Sequence, residues 1–211
     1  AARGRCAGAR FAMPVELLKA ASPAEAARRI VLAAELARED PSRAVTHNKG
    51  IMNGISALAL ATMNDTRAIE AAAHAWAARD GQYRGLSRFA FDGKVLEGSL
   101  ELPLAFATVG GAVGFHPASR LALAVLGNPG AQRLARIAAA LGLAQNFAAL
   151  RALVTGGIQR GHMKHHAARL AYQAGARGAE IRRVAARLAD RQQYNVEAAA
   201  RALAELRGGR E

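Results

Sequence analysis

Cysteine and aromatic residues are both scarce in this sequence, and each shortage argues against a class of protein. Cys6 is the single cysteine among 211 residues, so no disulfide can form within the chain and a reducing compartment is the default. Aromatic residues make up only 5% of the sequence, and we find no nucleic-acid-binding motif. A basic helical module for nucleic acid is therefore the weakest of the alternatives, and we expect no nucleic-acid partner.

Long uninterrupted apolar runs are also missing. The most apolar stretches, 51–63 and 135–150, are interrupted by Gly, Asn, Gln or Arg and are too short to cross a bilayer. Nothing in the sequence resembles a signal peptide. We therefore expect a cytoplasmic protein with no membrane partner. The chain does not begin with Met, which is compatible with processing or with a piece of a longer protein.

Basic residues outnumber acidic ones, 29 to 16, which gives a formal net charge of +13. Such a charge attracts anions, and the candidates are nucleic acid, acidic lipid or a phosphate-bearing small molecule such as a nucleotide or coenzyme A (CoA). An ordinary arginine-rich surface is the alternative, because the charges form no long run. The apolar fraction of 52% is large enough to build a core, and abundant Ala and Arg favour helix.

The apolar periodicity predicts a helix-rich α+β fold. A strand ends near Met13, and Asn64 is a candidate helix cap. The residues of 87–107 alternate about an Asp92-Gly93 turn, which indicates a β-hairpin or meander. The Gly-rich segment 109–114 predicts a tight turn, because it lacks both the GxGxxG spacing and a surrounding βαβ unit. The predicted helices are 15–20, 24–38, 46–63, 65–79, 117–126, 131–152, 159–174, 179–189 and 196–207.

The predicted helix 46–63 carries the first chemically informative pattern. Lys49 and Asn53 are four residues apart and lie on one polar stripe of the helix. Gly50 and Gly54 each cost the helix about 1 kcal/mol relative to Ala, so we expect another backbone or a ligand to approach closely there. Lys49 is either an oxyanion-stabilising cation or a surface lysine whose stem covers the core.

Two further features each allow two interpretations. Asp65 either pairs with Lys49 or interacts with the dipole of the helix that it begins. Gln145-Asn146 interrupts an apolar helix face, and a buried amide without a hydrogen bond costs about 1–3 kcal/mol. These amides therefore either tie two helices together or contact a ligand.

A cluster of histidines, His162, His165 and His166, shares one face of the predicted helix 159–174. Two histidines four residues apart can bind a metal. However, Met163 stands where the helical zinc motif has Glu, and no cluster of further ligands is near, so we expect no metal. A histidine that protonates a leaving group near neutral pH is an equally economical interpretation, and a solvated helix face is the third.

Five segments, in this order, resemble those of the bacterial (class II) 3-hydroxy-3-methylglutaryl-CoA (HMG-CoA) reductases. They are THNKGIMNG at 46–54, Asn64-Asp65 followed by Arg67-Ala68, TVGGAVG at 108–114, GLAQN at 142–146 and GIQRGHM at 157–163. The resemblance runs from about residue 5 to the end. It implies that 1–13 is the exit strand of a nucleotide-binding domain, 14–157 the C-terminal portion of the large substrate-binding domain, and 158–211 a small helical flap domain.

The resemblance also implies a reaction and a set of roles. The family interconverts HMG-CoA and mevalonate plus CoA with two equivalents of NADH or NADPH, and it needs no metal. By this resemblance Lys49 stabilises the oxyanion, Asp65 keeps that lysine protonated and oriented, and His162 protonates the departing CoA thiolate. The positions that match substrate-contacting residues of the family are Arg43, Asn53, Gln145 and His166.

The sequence departs from the family in two ways. Met63 and Thr66 stand where the family usually has Gly and Trp. The family's catalytic glutamate and most of its nucleotide-binding domain have no counterpart here, so no cofactor-binding residue can be named and NADH is not distinguished from NADPH. The family is an obligate dimer with its active site at the subunit interface. We therefore expect a homodimer and an inactive isolated chain; a truncated, non-catalytic paralogue that dimerises or binds CoA is the alternative.

Overall fold

The computed structural model describes the backbone of residues 4–155 and 158–208, and the side chains of 4–155 and 166–208. The chain divides into two compact units, Ala1–Thr155 (unit 1) and Gly156–Glu211 (unit 2). Each unit has a hydrophobic core of its own. The predicted helix-rich α+β class is confirmed.

Strands and helices follow one another in unit 1 along the described chain. In order they are β1 (Cys6–Pro14), a short 3-10 helix (Val15–Leu18), α1 (Pro23–Glu39), α2 (Pro41–Ala61), α3 (Thr66–Ala77), β2 (Ser87–Phe91), β3 (Val95–Pro103), α4 (Gly111–Phe115), α5 (Pro117–Val125) and α6 (Ala131–Thr155). The described part of unit 2, residues 158–208, contains three helices, α7 (Ile158–Gln173), α8 (Ala179–Asp190) and α9 (Val196–Gly208).

The three strands form an antiparallel sheet in the order β1-β3-β2. The predicted hairpin is β2 and β3, and Asp92 closes its turn by accepting hydrogen bonds from the backbone N–H groups of Lys94 and Val95. The pairing of β1 with β3 joins residues about 90 positions apart, such as Ala9 and Leu100, and no local pattern specifies it.

An aromatic cluster joins the inner face of the sheet to α6. Phe147 of α6 lies 5.2 Å from Phe11 and 6.3 Å from Phe89, measured between ring centroids. Gly98 makes room for the cluster, because a Cβ there would collide with the ring of Phe11. The sheet is therefore fixed against α6 by ring contacts that bury large apolar areas.

Helix α6 is the central element of unit 1 and packs against α2, β1, α1 and β3. It has 25 residues and a mean hydropathy of 1.5, so by length and composition alone it could cross a membrane. It is longer than the apolar stretch 135–150 that the sequence analysis considered too short to cross a bilayer. Leu134, Ala138 and Leu150 lie in the core of unit 1, so packing accounts for these apolar residues; 33% of the most apolar window of the helix is buried.

Glycines on both helices allow α2 and α6 to touch. A Cβ on Gly142 of α6 would lie 2.9 Å from Cδ1 of Ile55. A Cβ on Gly54 of α2 would lie 3.1 Å from Cγ and 3.2 Å from the carbonyl oxygen of Leu141. The expectation that another backbone approaches the glycines of α2 is confirmed for Gly54.

Two predicted helix starts were wrong. Helix α2 begins at Pro41 rather than Thr46, because Asp40 caps it through a 2.8 Å hydrogen bond from the backbone N–H of Ser42. The cap of α3 is Asp65 and not Asn64. The amide of Asn64 instead bonds both backbone groups of Ala107, at 2.7 and 3.1 Å.

The Gly-rich segment that was predicted as a tight turn is a turn followed by a short helix. Gly110 has a φ of 85° and Gly111 a φ of 51°, a left-handed conformation that glycine adopts without steric cost. The helix α4 then begins at Gly111.

The three described helices of unit 2 pack around a small core. Its described core consists mainly of alanine and leucine, with Leu170, Val184 and Leu188 as its largest members. Glu205 of α9 bonds Arg191 of α8 at 2.8 Å. Because this pair is exposed, it adds little, and the apolar core supplies most of the stability of this unit.

Met63, two residues after the end of α2, has a left-handed conformation with a φ of 54°. A left-handed residue with a Cβ costs about 1–2 kcal/mol relative to glycine, part of which the greater entropy of unfolded glycine offsets. We predict that Met63→Gly raises the free energy of unfolding by about 0.5–1 kcal/mol in chemical denaturation. Ala61→Gly, at the end of α2, is the matched control and should lower it; equal losses in both variants would contradict this account.

Gly142 should tolerate no side chain. We predict that Gly142→Ala lowers the free energy of unfolding by about 1–3 kcal/mol, because the new methyl group presses against Ile51 and Ile55. Gly130→Ala is the control, since a Cβ there meets no atom within 4 Å. Denaturation curves that coincide for the two variants would show that the α2–α6 contact is not tight.

Candidate active site

Helix α2 carries three of the residues singled out in the sequence. Lys49 and Asn53 lie one turn apart on its solvent-facing side and are exposed, while Arg43, about 120° around the helix from Lys49, is partly buried. The Arg43 guanidinium donates to Oγ1 of Thr46 at 3.0 Å. Burial lowers the pKa of Arg43. A partly desolvated guanidinium interacts more strongly with an anion than one in bulk water.

Helix α6 adds Gln145 to the same surface. A Cβ on Gly54 would lie 3.4 Å from Cβ of Gln145, so Gln145, an exposed residue, begins its side chain beside the turn of α2 that carries Asn53. Lys49 has no hydrogen-bond or ion-pair partner among the described side chains. The Gly54 contact thus places Gln145 beside the turn of α2 that carries Asn53, and Lys49 lies one turn before Asn53 with no ion-pair partner among the described residues.

Asp65 is held at the start of α3. Its side chain accepts a 3.1 Å hydrogen bond from the backbone N–H of Ala68 and caps the helix. Within the described part of the chain, the ion pairs do not include one between Lys49 and Asp65. The interaction of Asp65 with its own helix is therefore observed, and its pairing with Lys49 stays a prediction.

The predicted catalytic histidine belongs to unit 2. His162 and His165 lie in α7, but their side chains lie outside the described residues. His166 is partly buried in the same helix. Among the residues that the structure describes, no group of three His, Cys, Asp or Glu side chains could hold a metal ion. The roles of His162 and His166 stay predictions.

A buried polar network that the sequence did not reveal lies beneath α2 and α6. Nε2 of His47 lies 2.6 Å from Oγ of Ser87, which lies 2.8 Å from Oδ1 of Asn146. Nδ2 of Asn146 lies 3.4 Å from the backbone oxygen of His47 and closes the loop. The exposed fractions of His47, Ser87 and Asn146 are 2%, 0% and 2%. We call these three residues the buried triad.

The directions of these hydrogen bonds fix the form of His47. A carbonyl oxygen only accepts, so Nδ2 of Asn146 must face the backbone oxygen of His47, and Oδ1 must face Ser87. The Ser87 hydroxyl then donates to Oδ1 and accepts from Nε2–H of His47. Nδ1 of His47 is left as a bare lone pair, and it has no hydrogen-bond partner among the described atoms.

A second buried amide ties α2 to the segment before β2. Nδ2 of Asn48 donates to the backbone oxygen of Arg84, and Oδ1 of Asn48 accepts from the backbone N–H of Leu86, both at 2.9 Å. His47 and Asn48 therefore fix α2 from inside, while Lys49, the next residue, faces solvent. Their helical phase was a usable signal, because it places His47 on the side of Ile51 and Gly54.

The sequence matches the family model of hydroxymethylglutaryl-coenzyme A reductase over residues 4–167. The chain belongs to the HMG-CoA reductase family. It is 57% identical over 156 residues to the 3-hydroxy-3-methylglutaryl-coenzyme A reductase of Archaeoglobus fulgidus, covering 74% of this chain and 36% of that protein. It is 45% identical over 140 residues to the probable HMG-CoA reductase of Borreliella burgdorferi, covering 66% and 32%.

Solved HMG-CoA reductases of Streptococcus pneumoniae share the fold. One matches with a TM-score of 0.69 and 47% identity, over 94% of this chain and 48% of that chain. A second, described as class II and bound to NADPH in open conformations, matches with a TM-score of 0.68 and 47% identity, over 95% and 49%. The chain thus spans about a third of the curated relatives and about half of the solved structures.

Burial of His47 predicts an acid-sensitive fold. Desolvation, and then the charge of Arg43, lower the pKa of His47 to about 4. As pH falls below 6.5 the unfolded state takes up a proton before the folded state does. The free energy of unfolding contributed by His47 is therefore fully present above pH 6.5 and decreases by about 3 kcal/mol on the way to pH 4.

The measurement is chemical denaturation of the wild type and of His47→Gln between pH 4 and pH 7. Glutamine can keep the donor toward Ser87 but does not titrate. Between pH 7 and pH 4 the free energy of unfolding of His47→Gln should decrease less than that of the wild type, and the difference should equal the contribution of His47. Parallel curves for the two proteins would mean that His47 is not buried in its neutral form.

Proposed function

We propose that this chain supplies the acyl-binding part of the active site of an HMG-CoA reductase that uses NADH or NADPH. The observation that carries the proposal is the shared surface of α2 and α6, where Gly54 brings Gln145 beside the turn that bears Asn53. Lys49 supplies positive charge on the exposed side of α2, and Arg43 adds a second, partly buried cation near the beginning of the same helix. Membership of the family supports a role of this surface in binding the 3-hydroxy-3-methylglutaryl group.

The chemistry of the residues suits that group. The forked guanidinium of Arg43 can bind both oxygens of the substrate carboxylate. The amides of Asn53 and Gln145 can both donate and accept, as recognition of a hydroxyl and a carbonyl requires. Lys49 provides a compact cation for the oxygen that becomes negative when the thioester carbon is reduced.

Proton handling is assigned to two further residues. Asp65 would keep Lys49 protonated and oriented. His162 would protonate the sulfur of the departing CoA thiolate, a task for a group with a pKa near neutral. NADH or NADPH, when bound, supplies the two hydrides that convert the thioester through an aldehyde to mevalonate. The S. pneumoniae structure described as bound to NADPH supports this choice of cosubstrate.

Exposed apolar side chains support a partner for unit 1. Leu32, Leu60, Phe115 and Val125 are 66%, 64%, 85% and 79% exposed, and exposed apolar side chains that adjoin one another mark interaction sites. We propose that a second copy of the chain or further polypeptide of the enzyme covers it, in the cytoplasm. A truncated paralogue that binds CoA without catalysis is the competing proposal, since the chain spans about a third of the curated relatives.

A chimaera tests the proposed roles. We would replace the aligned part of the A. fulgidus reductase with the matching 156 residues of this chain and follow oxidation of NADPH in the presence of HMG-CoA. We predict activity, and a loss of at least about 100-fold in kcat for Lys49→Ala. Lys94→Ala, which removes the same charge at the exposed hairpin turn, should change little. An inactive chimaera that folds would favour the non-catalytic paralogue.

Asp65 allows its two roles to be separated. Asp65→Asn keeps an oxygen that can cap α3, and Asn caps as well as Asp, so the stability of the chimaera should hardly change. The same variant removes the charge that is proposed to pair with Lys49, so kcat should fall by at least about 10-fold. Asp65→Ala should lose both activity and about 1 kcal/mol of stability. Full activity in Asp65→Asn would restrict Asp65 to capping.

A further inference from the structure

Hydrogen bonds within the described structure do not fix the side-chain amides of Asn53 and Gln145, which are proposed to contact the acyl group. Neither Asn53 nor Gln145 makes a hydrogen bond to another described residue. Their separation is therefore set by how α2 lies against α6. The α2–α6 contact consists largely of glycine and aliphatic side chains, and apolar contacts are not directional.

We propose that the buried triad of His47, Ser87 and Asn146 is a positioning device for the acyl site. The inference rests on the proposed function, because it concerns the residues that would contact the substrate. His47 lies on α2 two positions before Lys49. Asn146 lies on α6 immediately after Gln145. Ser87 begins β2 and bridges the two at 2.6 and 2.8 Å.

The triad fixes the helices in a way that packing does not. Each hydrogen bond has a required direction and length, and the loop closes on a backbone oxygen of α2. A slide or rotation of α6 along α2 would break at least one bond and leave a buried polar group unpaired, which is costly in a core. One arrangement of Gln145 beside Asn53 is therefore favoured over its neighbours.

His47 acts in this device as a donor and not as a proton carrier. Its Nε2–H is committed to Ser87, and its bare Nδ1 is buried without a partner among the described atoms. A side chain that donates an N–H to Ser87 from the position of Nε2 should therefore be enough to keep α2 in place. Glutamine carries its N–H₂ group near the position of Nε2 and is the conservative replacement.

The test uses the 211-residue chain with Ser87→Ala, His47→Gln and a matched control. Ser119→Ala is the control, because Ser119 is also fully buried and its hydroxyl donates a 2.7 Å bond to a backbone oxygen, that of Val113. NMR would measure the nuclear Overhauser contact between Gly54 and Gln145. Titration with 3-hydroxy-3-methylglutarate would measure affinity, and thermal unfolding would measure stability.

We expect Ser87→Ala to weaken the Gly54–Gln145 contact and the affinity, the latter about tenfold. Ser119→Ala should lower stability to a similar degree without changing the Gly54–Gln145 contact or the affinity. His47→Gln should retain both the contact and the affinity. Equal behaviour of Ser87→Ala and Ser119→Ala in contact and affinity would overturn the proposal. If the wild-type chain does not bind the ligand, the proposed acyl site fails, and the Gly54–Gln145 contact alone decides whether the triad positions the helices.

Discussion

The close contact between α2 and α6 is the constraint on which the rest of the proposed site depends. Gly54 and Gly142 bring the two helices together, and the buried triad fixes how they lie against each other. Close packing resists movement of the two helices and the hydrogen bonds add required directions to it, but hydrogen bonds alone could not offset a poorly packed core. The two effects together determine where the exposed side chains of both helices project.

Adjacent residues on these helices divide structural and chemical roles between them. On α2, His47 and Asn48 face inward and make directional bonds, while Lys49 faces solvent. On α6, Asn146 is buried and Gln145 is exposed. Because neighbouring helical positions differ by about 100° in direction, a short motif can anchor a helix and present a functional group at once. This division explains why polar residues interrupt otherwise apolar helix faces at both places.

Periodicity and turn residues predicted most of the local structure, and long-range contacts account for what they missed. The hairpin at Asp92-Gly93 and the helices of unit 2 follow from local signals. The pairing of β1 with β3, and the bridge from His47 to Ser87 across 40 positions, depend on the assembled fold. Gln145 and Asn146 had two possible roles in the sequence; burial separates them, with Asn146 tying helices and Gln145 left for the substrate in our proposal.

The protonation state of His47 tests this account most directly, because it depends on every bond of the triad being oriented as described. Nitrogen-15 NMR of the imidazole ring at pH 7 distinguishes the two neutral tautomers from the charged form. We predict a neutral ring protonated at Nε2, with Nδ1 unprotonated until the pH approaches 4. A ring protonated at Nδ1, or one charged at pH 7, would contradict the triad and the position of α2 against α6 that it supports.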